Sequence, residues 1–197
     1  MSEALFAAVE KRSLKAIQAA IDKGADIDAT NPDDDGNTAL GAVCKSKSGA
    51  MSKTEAAIAM WLVERGADVM KANDDGETPL HLVAGSGNLD VLNALVARGA
   101  KVTRTKIDYT PLHYCLSTHD KNVALWDRLL ELGCGLEDKT KWGDTALLEA
   151  VSSHNPTAVK YLLAKGADRE VRDAKGRTPM DNAVEYKNEK IQKLLAK

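Results

Sequence analysis

Aromatic residues are scarce in this 197-residue chain: they make up 4% of it, with a single phenylalanine. A sheet enzyme built around an aromatic core is therefore a poor expectation, and the abundant Ala, Leu and Val favour small, closely packed helices. Cysteines number three, Cys44, Cys115 and Cys134, an odd count with no C-x-x-C pair. Neither a disulfide framework nor a zinc site is suggested, and a reducing compartment is expected. No apolar run reaches the ~18 residues that a membrane span needs. The opening segment MSEALFAAVEKR carries Glu3 before its short apolar run and Glu10 after it, unlike a secretory leader. A cytoplasmic location, or a nuclear one in a eukaryote, is expected. The formal net charge is −2, so the concentrated basic face that nucleic-acid binding requires is missing as well. What the chain does have is 44% apolar residues, enough for a packed core.

It also repeats itself. A threonine motif recurs as GNTAL, GETPL, DYTPL, GDTAL and GRTPM, with Thr38, Thr78, Thr110, Thr145 and Thr178 separated by 40, 32, 35 and 33 residues. A glycine motif runs out of phase with it: GAD at 24, GAD at 66, GAK at 99, GCG at 133 and GAD at 166. Threonine is a helix N-cap, and Pro79, Pro111 and Pro179 suit the first helical turn. A second amphipathic segment follows, such as LDVLNALVAR at 89–98, whose Val91, Leu92, Leu95 and Val96 share one face. Gly99 then supplies a left-handed cap. The roughly ten polar residues before the next threonine predict a hairpin. Each unit therefore reads as helix, turn, helix, β-hairpin, and since one unit cannot bury its own apolar face, stacked units form an all-α repeat solenoid.

The stretch DDGETPLHLVAGSGNLDVLNALVARGA, at 74–100, resembles an ankyrin repeat. The likeness recurs in register over nearly the whole chain, giving one domain, 1–197, of six ankyrin-like units at about 1–33, 34–73, 74–105, 106–140, 141–173 and 174–197. The first lacks the Thr-Pro entry but keeps the 19-residue interval from Leu5 to Gly24 that Leu80 and Gly99 show. The sixth ends on a helix with Ile191, Leu194 and Leu195 on one side and lysines on the other, as a terminal cap should. The second unit is longer, with seven extra residues within KSKSGAMSK at 45–53, after which SKTE at 52–55 reads as a capping box. The insert is expected to be a tolerated loop.

Few residues suggest chemistry. NPDDDGNTAL, at 31–40, begins like a calcium loop, but position 12 counted from Asn31 is Ala42, where the bidentate glutamate should stand. No phosphate loop, H-E-x-x-H or G-x-S-x-G motif occurs. The resemblance implies structural roles for His81 and His113 at the TPLH position. Cys44 and Cys115 read as small core residues, Cys134 as partly exposed, and Trp61, Trp126 and Tyr161 as packing residues of second helices. No enzyme, cofactor or metal is expected.

The resemblance implies another protein as partner, met by the hairpin tips and first helices. By register the tip positions are Asp34, Asp35 and Asn37; Asp74, Asp75 and Glu77; Lys106, Ile107 and Tyr109; Lys141, Trp142 and Asp144; and Lys175 and Arg177 beside Ala174. Ser117 and Ser152 stand at the ends of first helices. Residues 28–37 carry four acidic and no basic residues, and 68–77 four acidic and one basic, whereas the three later tips are close to balanced. This polarity fits a partner with a basic surface patch. Trp142, Ile107 and Tyr109 offer an apolar contact, since aromatics concentrate at interface hot spots. With both end units in capping form and no catalytic domain evident, binding is the expected output. The protein would be an inhibitor or an adaptor and, if bacterial, an immunity or antitoxin protein that occludes a toxin's active site. No nucleic acid or membrane is expected as a partner.

Overall fold

A computed structural model describes residues 2–46, 49–116 and 122–197. The chain divides into two compact units, the first ending at Thr103 and the second running from Arg104 to Lys197. In the first, α1 (Ser2–Glu10) pairs with α2 (Leu14–Asp22), α3 (Ala39–Cys44) with α4 (Lys53–Glu64) and α5 (Pro79–Ser86) with α6 (Leu89–Ala97). The pairs stack, α1 on α3 on α5 and α4 on α6. In the second, α7 (Pro111–Leu116) pairs with α8 (Val123–Glu131), α9 (Ala146–Ser152) with α10 (Pro156–Ala164) and α11 (Pro179–Glu185) with α12 (Glu189–Leu195). Here α7, α9 and α11 form one layer, and α10 meets α12 in the other. Each unit is thus a helical repeat solenoid with an aliphatic core, including Leu5, Ile17, Leu40, Ile58, Leu62, Leu80, Leu92 and Leu95 in the first and Leu112, Leu125, Leu148 and Leu162 in the second.

Local chemistry sets the helix ends. Thr38 Oγ1 accepts the Gly41 N–H, and Thr178 with Asp181 closes a reciprocal capping box. The Thr78 N–H donates to His81 Nδ1 (3.2 Å), so the ring carries its proton on Nε2 and donates it to the Thr103 carbonyl (3.1 Å). His113 Nδ1 takes the same bond from Thr110, while its Nε2 finds no acceptor among the described residues. The second helices start on Ser13, Asn88, Asn122, Asn155 and Asn188, each accepting a backbone N–H with its side chain. The second helices end on Gly24, Gly66, Gly99, Gly133 and Gly166, all at positive φ. The next residue returns its N–H to the helix and lies buried. That return places Cys134 at 4% exposure, correcting the expectation that it is partly exposed.

The inserted segment is anchored. Ser52 and Glu55 form the expected capping box, and the Met51 N–H donates to the Ser86 carbonyl. Glu55 also accepts from Ser46 Oγ and from Arg12 Nε (3.0 Å), and Arg12 spends its remaining donors on the Val9 and Ala42 carbonyls. The longer second repeat is thereby tied to the first.

The hairpins are less regular than expected. Among the described residues only β1 (Thr30–Asn31) and β2 (Asn37–Thr38) form a ladder. The other four tips are each closed by two backbone bonds without extending into a ladder: the N–H groups of Asn73, Thr105, Thr140 and Asp173 donate to Glu77, Tyr109, Asp144 and Arg177, and their carbonyls accept from Gly76, Asp108, Gly143 and Gly176. The reason is a side-chain latch. Asn73 Oδ1 takes the N–H groups of Asp75 and Glu77, Thr105 Oγ1 that of Tyr109, Thr140 Oγ1 those of Trp142 and Asp144, and Asp173 Oδ1 those of Lys175 and Arg177. A side-chain oxygen thus occupies the N–H that a longer ladder would pair. Asp108, standing where the other tips have glycine, adopts φ 60 and keeps the same closure, as short polar side chains can.

Candidate functional site

Successive tips are joined by backbone bonds, Asp74 N–H to the Asp35 carbonyl in the first unit, and Lys141 to Ile107 and Ala174 to Trp142 in the second. Each unit therefore presents its tips as a fixed row beside its inner helices.

In the first unit Asp35, Asp74 and Asp75 are exposed and Asp34 and Glu77 half-buried. Asn37 is not a surface residue: at 1% exposure it is enclosed, its Oδ1 accepting from Asn73 Nδ2 (3.3 Å) and its own Nδ2 unpaired among the described residues. This corrects the register assignment. Pairing with Asn31 in the ladder, together with the amide from the next tip, turns the side chain inward. The aspartates that suggested calcium have other duties. Asn31 Oδ1 accepts the Asp33 N–H, and Asp35 holds Lys45 Nζ at 3.0 Å. That hydrogen bond raises the Lys45 pKa above its ordinary value. Among the described residues no group of three or more His, Cys, Asp or Glu side chains is placed to hold a metal ion, and no helix is long and apolar enough to cross a membrane. Beside this row lies a cavity of about 800 Å³ bordered by Glu3, Phe6, Arg12, Asp33 and Asp34.

The second unit has a different character. Trp142 is 49% exposed. Its ring stands edge-on to Tyr109 with centroids 6.1 Å apart, and Tyr109 meets Tyr114 at 5.8 Å and His113 at 5.4 Å. Tyr109 O–H donates to Glu149 Oε2 at 3.4 Å. Burial raises the Glu149 carboxyl pKa, and the neighbouring Asp144 adds to the rise. Burial also raises Asp144, assisted by Asp173 and opposed by Arg177 and Lys175. Burial and the two carboxylates push the Tyr109 phenol up to about 12. Among the described residues no cation lies within salt-bridge reach of Asp144 or Glu149. Arg177 is committed to Asp173 and Glu185.

The structure thus brings Tyr109, Trp142 and Asp144 together. It leaves Lys106, Lys141, Lys175 and Ser152 as exposed neighbours and half-buries Ile107, whose carbonyl serves the tip row. Ser117 lies outside the described residues. Glu149 and Tyr114 were missed from sequence. Each stands four residues after the threonine of its repeat, and that register could have found them. Trp126 and Tyr161 pack ring to ring at 5.1 Å on α8 and α10, and Trp61 on α4 carries the Arg65 guanidinium 5.0 Å above its ring.

A family model described as ankyrin repeats in three copies matches residues 47–134 and 121–197, and one described as ankyrin repeats in many copies matches 5–54. The chain belongs to the ankyrin-repeat family. Ankyrin repeats are protein–protein interaction modules, and the tip rows described above belong to such a module. Among the relatives, a transient receptor potential cation channel subfamily A member 1 homolog of Caenorhabditis elegans is 34% identical over 130 residues, 62% of this ankyrin chain and 10% of the relative. A protein named as a probable 26S proteasome regulatory subunit p28 of Saccharomyces cerevisiae is 29% identical over 171 residues, 82% of this chain and 68% of the relative. A putative ankyrin repeat protein of Rickettsia bellii is 28% identical over 140 residues, covering 71% of this chain and 77% of the relative. The ankyrin segment spans only about a tenth of the channel homolog and of the inversins it also matches.

Proposed function

We propose that this protein works by binding, not catalysis, and that it grips a partner protein through the tip rows and inner helices as an inhibitor or adaptor. The single observation that carries the reading is Trp142. A large ring left half-exposed on a turn, with one side propped by Tyr109, offers its open side to a partner, and such rings supply much of the energy at interface hot spots. The acidic tips Asp34, Asp35, Asp74, Asp75 and Glu77 support a partner with a basic patch, recruited chiefly through its rate of encounter. Their charge is softened by Lys45. The three buried thiols support a reducing compartment, cytoplasmic or nuclear, with burial pushing Cys44 up to about 12 and Cys134 to about 11.

Affinity purification followed by titration tests the proposal. Trp142→Ala should weaken the dominant partner by about 2 kcal/mol or more while leaving the thermal midpoint where it was. Equal affinity, or a collapsed fold, would remove Trp142 from its role. Neutralising Asp34, Asp35, Asp74 and Asp75 together should slow association at low salt and flatten its salt dependence. An on-rate indifferent to the change would end the steering argument. A partner enzyme silenced at one-to-one stoichiometry identifies an inhibitor, and two partners held at once identify an adaptor.

A further inference from the structure

The second unit's surface combines two things that seldom stand together without a counterpart: a half-exposed tryptophan and half-buried carboxylates lacking a cation. Trp142 is 49% exposed, its ring lies near-perpendicular to that of Tyr109 with centroids 6.1 Å apart, and the Tyr109 hydroxyl leads to Glu149 at 3.4 Å. Asp144 lies two residues beyond Trp142 in the same latched turn, whose geometry Thr140 fixes. The nearest basic side chains do not fill the place: Arg177 is occupied by Asp173 and Glu185, and Lys141 and Lys175 are exposed to solvent. Burial costs each carboxylate solvation that the hydroxyls of Tyr109 and Ser153 on Glu149, and the more distant Arg177 and Lys175 for Asp144, do not fully restore, and both are raised above their ordinary values.

We propose that Trp142, Tyr109, Asp144 and Glu149 form a cradle for an arginine side chain presented by the partner protein. A guanidinium fits this set better than an ammonium. It is planar, stacks on an indole ring, and carries forked N–H donors suited to more than one carboxylate oxygen. A carboxylate or phosphate is repelled by the same pair. The cradle deepens the partner-binding reading and rests on it, adding the chemistry of the group that must arrive.

The test uses the full chain, labelled with nitrogen-15, and the peptide acetyl-Gly-Gly-Arg-Gly-Gly-amide, with versions carrying citrulline or lysine in place of arginine. The arginine peptide should move the Trp142 indole N–H signal saturably, and those of Trp61 and Trp126 should stay still. Citrulline, isosteric but neutral, should bind about tenfold more weakly, and lysine about threefold. Glu149→Gln should weaken the arginine peptide about tenfold, and Asp144→Asn serves as the second variant if Glu149→Gln does not fold. Citrulline binding as tightly as arginine, or a shift mapping to the first unit, overturns the cradle, as does the absence of any saturable shift at Trp142. The two readings fail separately. If Trp142→Ala weakens the purified partner but the peptides show no charge preference, the binding surface stands and the arginine cradle falls. If Trp142→Ala leaves the partner untouched, the surface itself has been misplaced.

Discussion

Trp126→Ala will destabilise the second unit by about 3–5 kcal/mol, the cost of emptying a large aromatic from a packed core. Trp126 has no solvent exposure, and its ring meets Tyr161 at 5.1 Å across the α8–α10 layer. Deleting it removes the largest fully buried side chain among the described residues and takes the ring contact from Tyr161, which keeps its bond to Asp127 (2.8 Å) and the Lys165 ammonium 5.4 Å above its ring. Hydrogen exchange is the measurement to use, because a stack of repeats need not unfold in one step. Protection should fall first in α8 and α10, with α1–α4 nearly unaffected. Trp126→Phe separates the packing from the polar part. The indole N–H has no acceptor among the described residues, so phenylalanine loses volume but also removes an unsatisfied donor, and should cost clearly less than alanine. Equal costs for the two variants would show that ring volume at this site contributes little, since both delete the nitrogen. Set beside Trp142→Ala, which should spare stability and spend binding, the pair separates fold from function with one residue type.

Glu55→Ala will destabilise the first unit by a similar amount, about 3–5 kcal/mol, because removing one partner strands the other charge. Glu55 is 5% exposed and accepts four hydrogen bonds, from the Ser52 N–H and hydroxyl, Ser46 Oγ and Arg12 Nε. Alanine keeps the Ser52 cap of α4 but removes the reciprocal half of its capping box, and leaves the Arg12 guanidinium without its carboxylate. Burial alone would push the Glu55 carboxyl up; the bonds from Ser52, Arg12 and Ser46 outweigh it and hold the group below its ordinary 4.5. The sign then follows. The unfolded chain takes up the proton at a higher pH than the folded one does, so the contribution is complete above about 4.5 and drains away as pH falls through the lower folded value. Wild-type protection in α1–α4 should therefore drop on acidification, and Glu55→Gln should show a shallower drop from a lower starting point. An unchanged acid slope in Glu55→Gln would mean that other carboxyls carry the effect.

The helices and their caps were legible because each depends on neighbours in sequence. Thr38 needs only Gly41, and Ser52 only Glu55. The one-turn returns after Gly24, Gly66, Gly99, Gly133 and Gly166 were legible in principle too. Ala25, Ala67, Ala100 and Ala167 occupy the place of Cys134 and are all buried, so register outweighs the exposure that a position after a helix cap suggests. What escaped depends on the next repeat. Asn37 is enclosed by an amide from Asn73, 36 residues away; the tip charge is moderated within its own repeat, by Lys45 at the far end of α3. In the binding surface, Trp142 and Tyr109 could be named from sequence because their tips follow the threonine register. The same register reaches Glu149, but its part in the surface rests on a bond from Tyr109, 40 residues away.

The latches formed by Asn73, Thr105, Thr140 and Asp173 divide labour within each turn. One residue at the base holds the shape, and the residues at the crest are released from holding it. The crest can therefore be rewritten, as Asp-Asp becoming Lys-Ile becoming Lys-Trp within this one chain already shows, without renegotiating the scaffold. A lineage built this way can change whom it recognises faster than it changes what it is. The same property makes these turns the natural place to graft a new specificity.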